Sequence, residues 1–112
     1  MKRRFRLTRS TDFQRVRRIG KSYAHPLVVF TVAPNELDQV RIGVVAGRSV
    51  GNAVKRNRVK RRLRASLDLH LDKLHGSWDM VFLARKPMDQ ASFDEIRAAV
   101  VLLLKRAGLL ND

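Results

Sequence analysis

Residues 55–64, KRNRVKRRLR, hold seven cations, no acid and two apolar residues, Val59 and Leu63. Val59 and Leu63 lie one helical turn apart, and Leu67, His70 and Leu74 continue the same seam at spacings of 4, 3 and 4. The segment is therefore a helix with one face in a core. Like charges three and four residues apart cost a helix about 0.2–0.5 kcal/mol per pair. A chain that carries such a block inside a packed helix needs a polyanion to set against it.

The charge is segregated. The 112 residues carry a formal net charge of +14. Residues 2–21 hold nine Lys/Arg against Asp12 alone, while residues 65–112 hold six against seven acids. Two segments thus make the cationic surface, the footprint of a nucleic acid or an anionic membrane surface. Apolar residues are 45 % of the chain, enough for one domain over residues 1–112. The absence of cysteine excludes a disulfide framework and thiolate metal ligands. No apolar run approaches the roughly 18 residues of a membrane span. The basic start lacks the apolar stretch of a signal peptide, so a cytoplasmic location without membrane contact is expected.

Residues 1–9 read as a basic arm, expected to be mobile. Ser10 or Thr11 can cap a short helix to about Ile19, with Gly20 placed to end it. Tyr23 to Val32 reads as a strand, apolar on both faces and interrupted by Pro26, at an edge or a bend. Pro34 to Asp38 is a turn and Val40 to Ala46 a second strand; the short link predicts an antiparallel hairpin. Asn52 is placed to cap the long helix, which runs to about Leu74. Trp78 to Ala84 is a third strand. Ser92 with Glu95 forms a capping box for a last helix, whose stripe is Phe93, Ile96, Val100, Leu103, Leu104 and Ala107. The order α-β-β-α-β-α predicts an α+β fold. It is a two-layer α-β sandwich with its helices on one side of a small mixed sheet and a βαβ crossover through the long helix.

No residue pattern suggests a catalytic centre or a metal site. His70 falls on the apolar seam, where a hydrogen-bonded core histidine is expected, and His75 stands at a helix end that suits a cation. No His, Cys or carboxylate spacing fits zinc. Ser49 lacks the nucleophile-elbow setting, and Gly47 and Gly51 lack the Gly-Lys-Ser/Thr of a phosphate loop.

The basic helix carries more. Helical projection puts Asn57, Lys60 and Arg64 on one flank of the seam, Lys55, Arg58 and Arg62 on the other, and Arg61 outward. Arg56 sits over the seam and must reach past the core or hold an acid. Lys55 and Arg56 occupy the first turn, where the dipole disfavours cations by ~0.3–1 kcal/mol each and free N–H groups attract an anion. This reads as a phosphate grip, with solvated surface the alternative for Arg61 and Arg62. Asn57 can bond a base, a 2′-hydroxyl or its own backbone. Trp78, Phe82 and Phe93 read as core. Phe13 and Phe30 suit core or stacking on unpaired bases at an open sheet face equally well.

Residues 51–64, GNAVKRNRVKRRLR, resemble the signature helix of the bacterial ribonuclease P protein component. Arg41-Ile42-Gly43-Val44-Val45 with Gly47-Arg48-Ser49-Val50 resembles that family's strand and loop, as do Arg6 to Phe13 and Ala84-Arg85-Lys86-Pro87. The resemblance runs in order through essentially the whole chain. It implies a left-handed βαβ crossover, against the general preference for the right hand. It also implies a subunit that binds the ribonuclease P catalytic RNA and the 5′ leader of precursor tRNA. The RNA supplies the chemistry with Mg2+, and the protein holds no catalytic residue or metal of its own. Carried over residue by residue, Asn52, Lys55, Arg56, Asn57, Arg58, Lys60, Arg61, Arg62 and Arg64 meet the catalytic RNA. Phe13 matches a cleft aromatic at the leader, and Phe30 another if one residue is gapped. Arg17 stands where a further cleft aromatic is expected, and a guanidinium can stack as well.

Other classes fit less well. A ribosomal RNA-binding protein shares the charge and fold class but not the loop and helix matches. A nucleoid protein would need its basic helix free to enter a major groove, and a membrane-surface helix would not come with a full core pattern. Self-association is left open. Replacing Arg58 and Arg62 with alanine is expected to weaken RNA binding and leave the fold intact.

Overall fold

Four strands form one sheet in the order β1-β2-β4-β3: β1 (Lys21–Ala24), β2 (Val28–Pro34), β3 (Arg41–Ala46) and β4 (Trp78–Ala84). The computed structural model describes residues 1–111; Asp112 lies outside the described residues. Helices are α1 (Ser10–Ile19), α2 (Ala53–Asp68) and α3 (Phe93–Arg106), with 3-10 turns at Arg3–Phe5, Arg48–Val50, Leu71–Lys73 and Lys86–Gln90. The Pro26 interruption is a bend. It splits the first predicted strand into β1 and β2, which pair antiparallel with Tyr23 opposite Phe30.

The predicted hairpin of β2 with β3 does not form. β4 lies between them, antiparallel to β2 and parallel to β3. The Asn35 amide donates to Ser77 O at 2.9 Å, so the turn after β2 pairs with the lead into β4 instead of closing on β3. β2 and β4, apolar on both faces, take the central places. α2 is the crossover from β3 to β4, as a parallel pair requires.

The helices do not all lie on one side. Val28, Phe30, Val32, Ile42, Val44, Met80, Phe82 and Ala84 face the main core with α2 and α3. On the opposite face α1 sets Val16 against Ala33 and Leu7, with Phe13 and Val81 at the rim. α1 covers only part of that face and leaves the rest open. Gly20 ends α1 in extended conformation. It is glycine because a Cβ there would stand 2.4 Å from Val16 O and 2.7 Å from Thr31 Cγ2. No side-chain cap forms at the start of α1, whereas the Ser92/Glu95 capping box of α3 is complete.

α2 is shorter than its seam suggested. It ends at Asp68, and a 3-10 turn, Leu71–Lys73, carries Leu74 back into the core. Val59, Leu63 and Leu67 are fully buried. At about 1.5–3 kcal/mol for each such side chain, the seam outweighs the like-charge repulsion along the helix. Residues 1–9 form a docked segment, not a free arm. The Leu7 amide donates to Ile42 O at 2.9 Å, Arg6 bridges to Ile42, and Leu7 is buried. This covers the exposed edge of β3.

Candidate nucleic-acid interface

The basic helix starts at Asn52, whose Oδ1 accepts the Lys55 amide at 3.0 Å. Its two flanks differ. On one, Arg58 donates to the Asp89 carboxylate, Lys55 Nζ stands 3.9 Å from the same group, and Arg62 donates to Ala91 O at 2.8 Å. Asp89 is nearly buried in the 3-10 turn Lys86–Gln90, so this flank ties α2 to the entry of α3. Arg58 and Arg62 therefore have work inside the protein, which α2 periodicity alone did not show.

On the other flank Lys60 and Arg64, and the outward Arg61, form no ion pair among the described residues. Asn57 and Arg61 are exposed, and Lys60 and Arg64 half-exposed. Arg64 is held below the ordinary arginine value, by burial first and by the Arg6 charge second. Arg56 takes the place over the seam that projection assigned it. It is half-buried, with Nε enclosed and without a hydrogen-bond partner.

A cleft opens on the far side of the sheet, between α1 and the uncovered ends of β3 and β4. Phe13 and Arg17 form its wall; Val29, Val45, Val81 and Leu83 form its floor. Phe13 packs against Gly43, where a Cβ would come within 2.5 Å of two ring carbons. Leu83 is 38 % exposed, an apolar side chain left open on the floor. Phe30 is not in this cleft. It is fully buried on the helix-covered face, stacked at 4.5 Å on Phe82 and at 6.0 Å on Tyr23. Strand parity explains the correction: Val29 and Thr31 face the cleft, so Phe30 between them faces the core.

Leu83 also lines a second hollow at the C-terminal ends of β3 and β4, with Gly47, Ser49, Arg85 and Lys86 around it. The turn Arg48–Val50 packs there against Lys86–Gln90, close to the start of α2. Cleft and basic helix thus converge at one end of the sheet. Residue patterns did not single out Arg85, Lys86 and Leu83 as site residues. Their signal was the third strand, apolar on both faces and followed at once by two cations.

The other flank of α1 is clamped. Asp79, fully buried, accepts Arg41 Nε at 2.9 Å, Arg41 Nη2 at 2.8 Å and Asn35 Nδ2 at 2.8 Å, together with Arg15 from α1. Arg41 also reaches Asp12 of α1 at 3.5 Å. Burial alone would raise the Asp79 carboxyl. The hydrogen bonds from Arg41 and Asn35 and the Arg41 and Arg15 charges outweigh it and hold the group below its ordinary value.

His70 is not the hydrogen-bonded core residue expected: both ring nitrogens are enclosed without a partner, and burial, then Lys73 and Arg97, lower its pKa. His25 Nδ1 accepts the Leu27 amide. Among the described residues no three His, Cys, Asp or Glu side chains gather in a way that could hold a metal ion.

A family model described as Ribonuclease P matches residues 1–108. The chain is 41 % identical over 112 residues to the ribonuclease P protein component of Herpetosiphon aurantiacus, covering 100 % of this chain and 91 % of that one. It is 40 % identical over 113 residues to that of Clostridium novyi, covering 99 % and 100 %. Of solved structures, the RNase P protein of Staphylococcus aureus matches with a TM-score of 0.87 at 30 % identity, over 96 % of this chain and 98 % of that chain. The RNase P protein of Thermotoga maritima matches with a TM-score of 0.82 at 30 % identity, over 90 % and 98 %. The two converging surfaces thus sit on a fold and a sequence matched almost end to end, and the chain belongs to the ribonuclease P protein family.

Proposed function

We propose that the chain is the protein subunit of a ribonuclease P ribonucleoprotein, the endoribonuclease that removes the 5′ leader of precursor tRNA. The observation that carries this reading is the convergence of the start of the cationic helix and a cleft floored by apolar side chains at one end of the sheet, on a chain of this family. The open flank of α2, with Asn57, Lys60, Arg61 and Arg64, meets phosphates of the catalytic RNA, and Arg56 reaches out beside it. Asn52 presents the start of the helix. Lys55, Arg58 and Arg62 keep partly exposed guanidinium and ammonium groups at the rim while holding Asp89 of the Lys86–Gln90 turn and the Ala91 carbonyl after it.

The cleft takes the single-stranded leader. Phe13 offers a ring face and Arg17 a guanidinium plane for stacking, over a floor with few polar groups. Such a surface accepts any base. Arg85 and Lys86 at its open end suit the leader's phosphates. Mg2+ belongs to the RNA in this reading; the protein binds, orients and screens charge. A cytoplasmic location goes with the reading, and no helix among the described residues is long and apolar enough to cross a membrane.

The test is cleavage of a precursor tRNA by a bacterial ribonuclease P RNA at low magnesium, with and without the protein. Cleavage restored at the mature 5′ end supports the subunit reading. Tight RNA binding without stimulation, against RNAs of more than one structural class, would reduce the chain to a general RNA binder.

A further inference from the structure

The docked N-terminal segment changes the shape of the cationic surface. It lies on the free edge of β3, held by the Leu7 amide on Ile42 O at 2.9 Å and by Gln39 Nε2 on Arg4 O at 2.7 Å. Arg6 is extended, and side chains alternate along an extended backbone. Leu7 turns to the α1 face, where it is buried with Val16, so Arg6 turns to the α2 face. There it lies beside the α2 flank that carries Arg64: the Met1 ammonium of the same segment pairs with Asp68, one turn after Arg64, at 2.9 Å, and the Arg6 charge adds to burial in making the Arg64 cation harder to hold. Neither guanidinium has an ion-pair partner among the described residues. Two like charges from segments 58 positions apart thus share one side of the molecule, and the acid nearest Arg64 in sequence, Asp68, is taken by the Met1 ammonium.

Resting on the reading of α2 as the RNA-binding helix, we propose that Arg6 and Arg64 form a two-guanidinium clamp for one phosphodiester of the partner RNA, so that the docked segment is part of the RNA interface. Each guanidinium presents a planar fork of donors that matches phosphate oxygens, and two forks from different elements can close on one group. The clamp is continuous with Lys60 and Arg61 on the same helix. Its occupant is a phosphate of the partner RNA, because a phosphodiester offers acceptor oxygens to both guanidinium forks at once.

The experiment is equilibrium binding of a bacterial ribonuclease P RNA across a salt series. The full chain is compared with Arg6→Ala, Arg6→Lys, Arg64→Ala and the Arg6→Ala/Arg64→Ala double variant, with thermal midpoints of each free protein. Arg6→Ala is expected to weaken binding severalfold and to lower the slope of log K against log salt by about one. Its thermal midpoint stays level or rises, because a repulsion is removed. Arg6→Lys recovers part of the affinity. In the double variant the second change costs less than it does alone, as expected for one shared phosphate. Native affinity and slope for Arg6→Ala beside a loss for Arg64→Ala would overturn the clamp and leave the helix reading standing. Unchanged binding for both would overturn the helix reading too. Strictly additive losses, or a lowered midpoint for Arg6→Ala, would also overturn the clamp, the latter by showing that Arg6 holds the arm instead.

Discussion

Arg58 and Arg61 are two arginines of one basic run with different work. Arg58 donates to a nearly buried Asp89, whereas Arg61 points to solvent. Arg58→Ala leaves that carboxylate with Lys55 3.9 Å away as its remaining cation. A loss of about 1–3 kcal/mol is expected from the orphaned buried acceptor, read by urea denaturation. Arg61→Ala should stay within about 0.5 kcal/mol of the parent. The expectation that alanine at Arg58 and Arg62 spares the fold is thereby revised, since both bind groups at the entry to α3. Phe13 is the second residue to test. It is half-buried and lies on Gly43, so Phe13→Ala should raise KM for precursor tRNA with a leader more than it weakens binding of mature tRNA. Equal losses for both would make Phe13 a packing residue only.

At the scale of elements, α1 is the part whose place matters most to the cleft, and Asp79 holds it there. The folded-state pKa of Asp79 lies below its ordinary value. Its contribution is therefore fully present above the unfolded value, about 3.9, and is lost as pH falls through the folded value. Asp79→Asn should be less stable at neutral pH, and the gap to the parent should narrow as the solution is acidified. Thermal midpoints between neutral pH and strong acid would show it; a gap that stays constant would mean that packing, not charge, holds α1. Residue spacing foretold α1, both other helices and the apolar runs of β2, β3 and β4, but not β1, whose Lys21–Ala24 is mostly exposed. It did not foretell that α1 crosses to the other face, because an amphipathic helix with one buried stripe fits either side of a two-faced sheet.

For the whole molecule, the net charge of +14 sets two salt dependences of opposite sign. Added salt should stabilise the free protein by screening repulsion within the basic surface. The same salt should weaken RNA binding steeply, through the counterions that the bound protein has displaced. Thermal midpoints and RNA affinities over one salt series would check both. A midpoint that falls with salt would mean that the ion pairs at Asp79 and Asp89 outweigh the repulsion.

What the sequence determined by itself was local or compositional: the helix with Val59, Leu63 and Leu67 in its seam, the Asn52 and Ser92 caps, the cationic block and the family resemblance. The seam, caps and cationic block each depend on residues a few positions apart, and the resemblance on the order of such short motifs, so all can be read along the chain. Tertiary structure alone decided that β4 would separate β2 from β3, and that Phe30 would stack in the core while Phe13 lined the cleft. It alone set Arg58 on Asp89 and docked the N-terminal segment on the β3 edge and on Asp68 of α2. Those outcomes depend on which distant segments share a sheet edge or a helix flank. Strand neighbours and ion-pair partners are chosen by the packing of the whole chain, and no spacing within one segment encodes them.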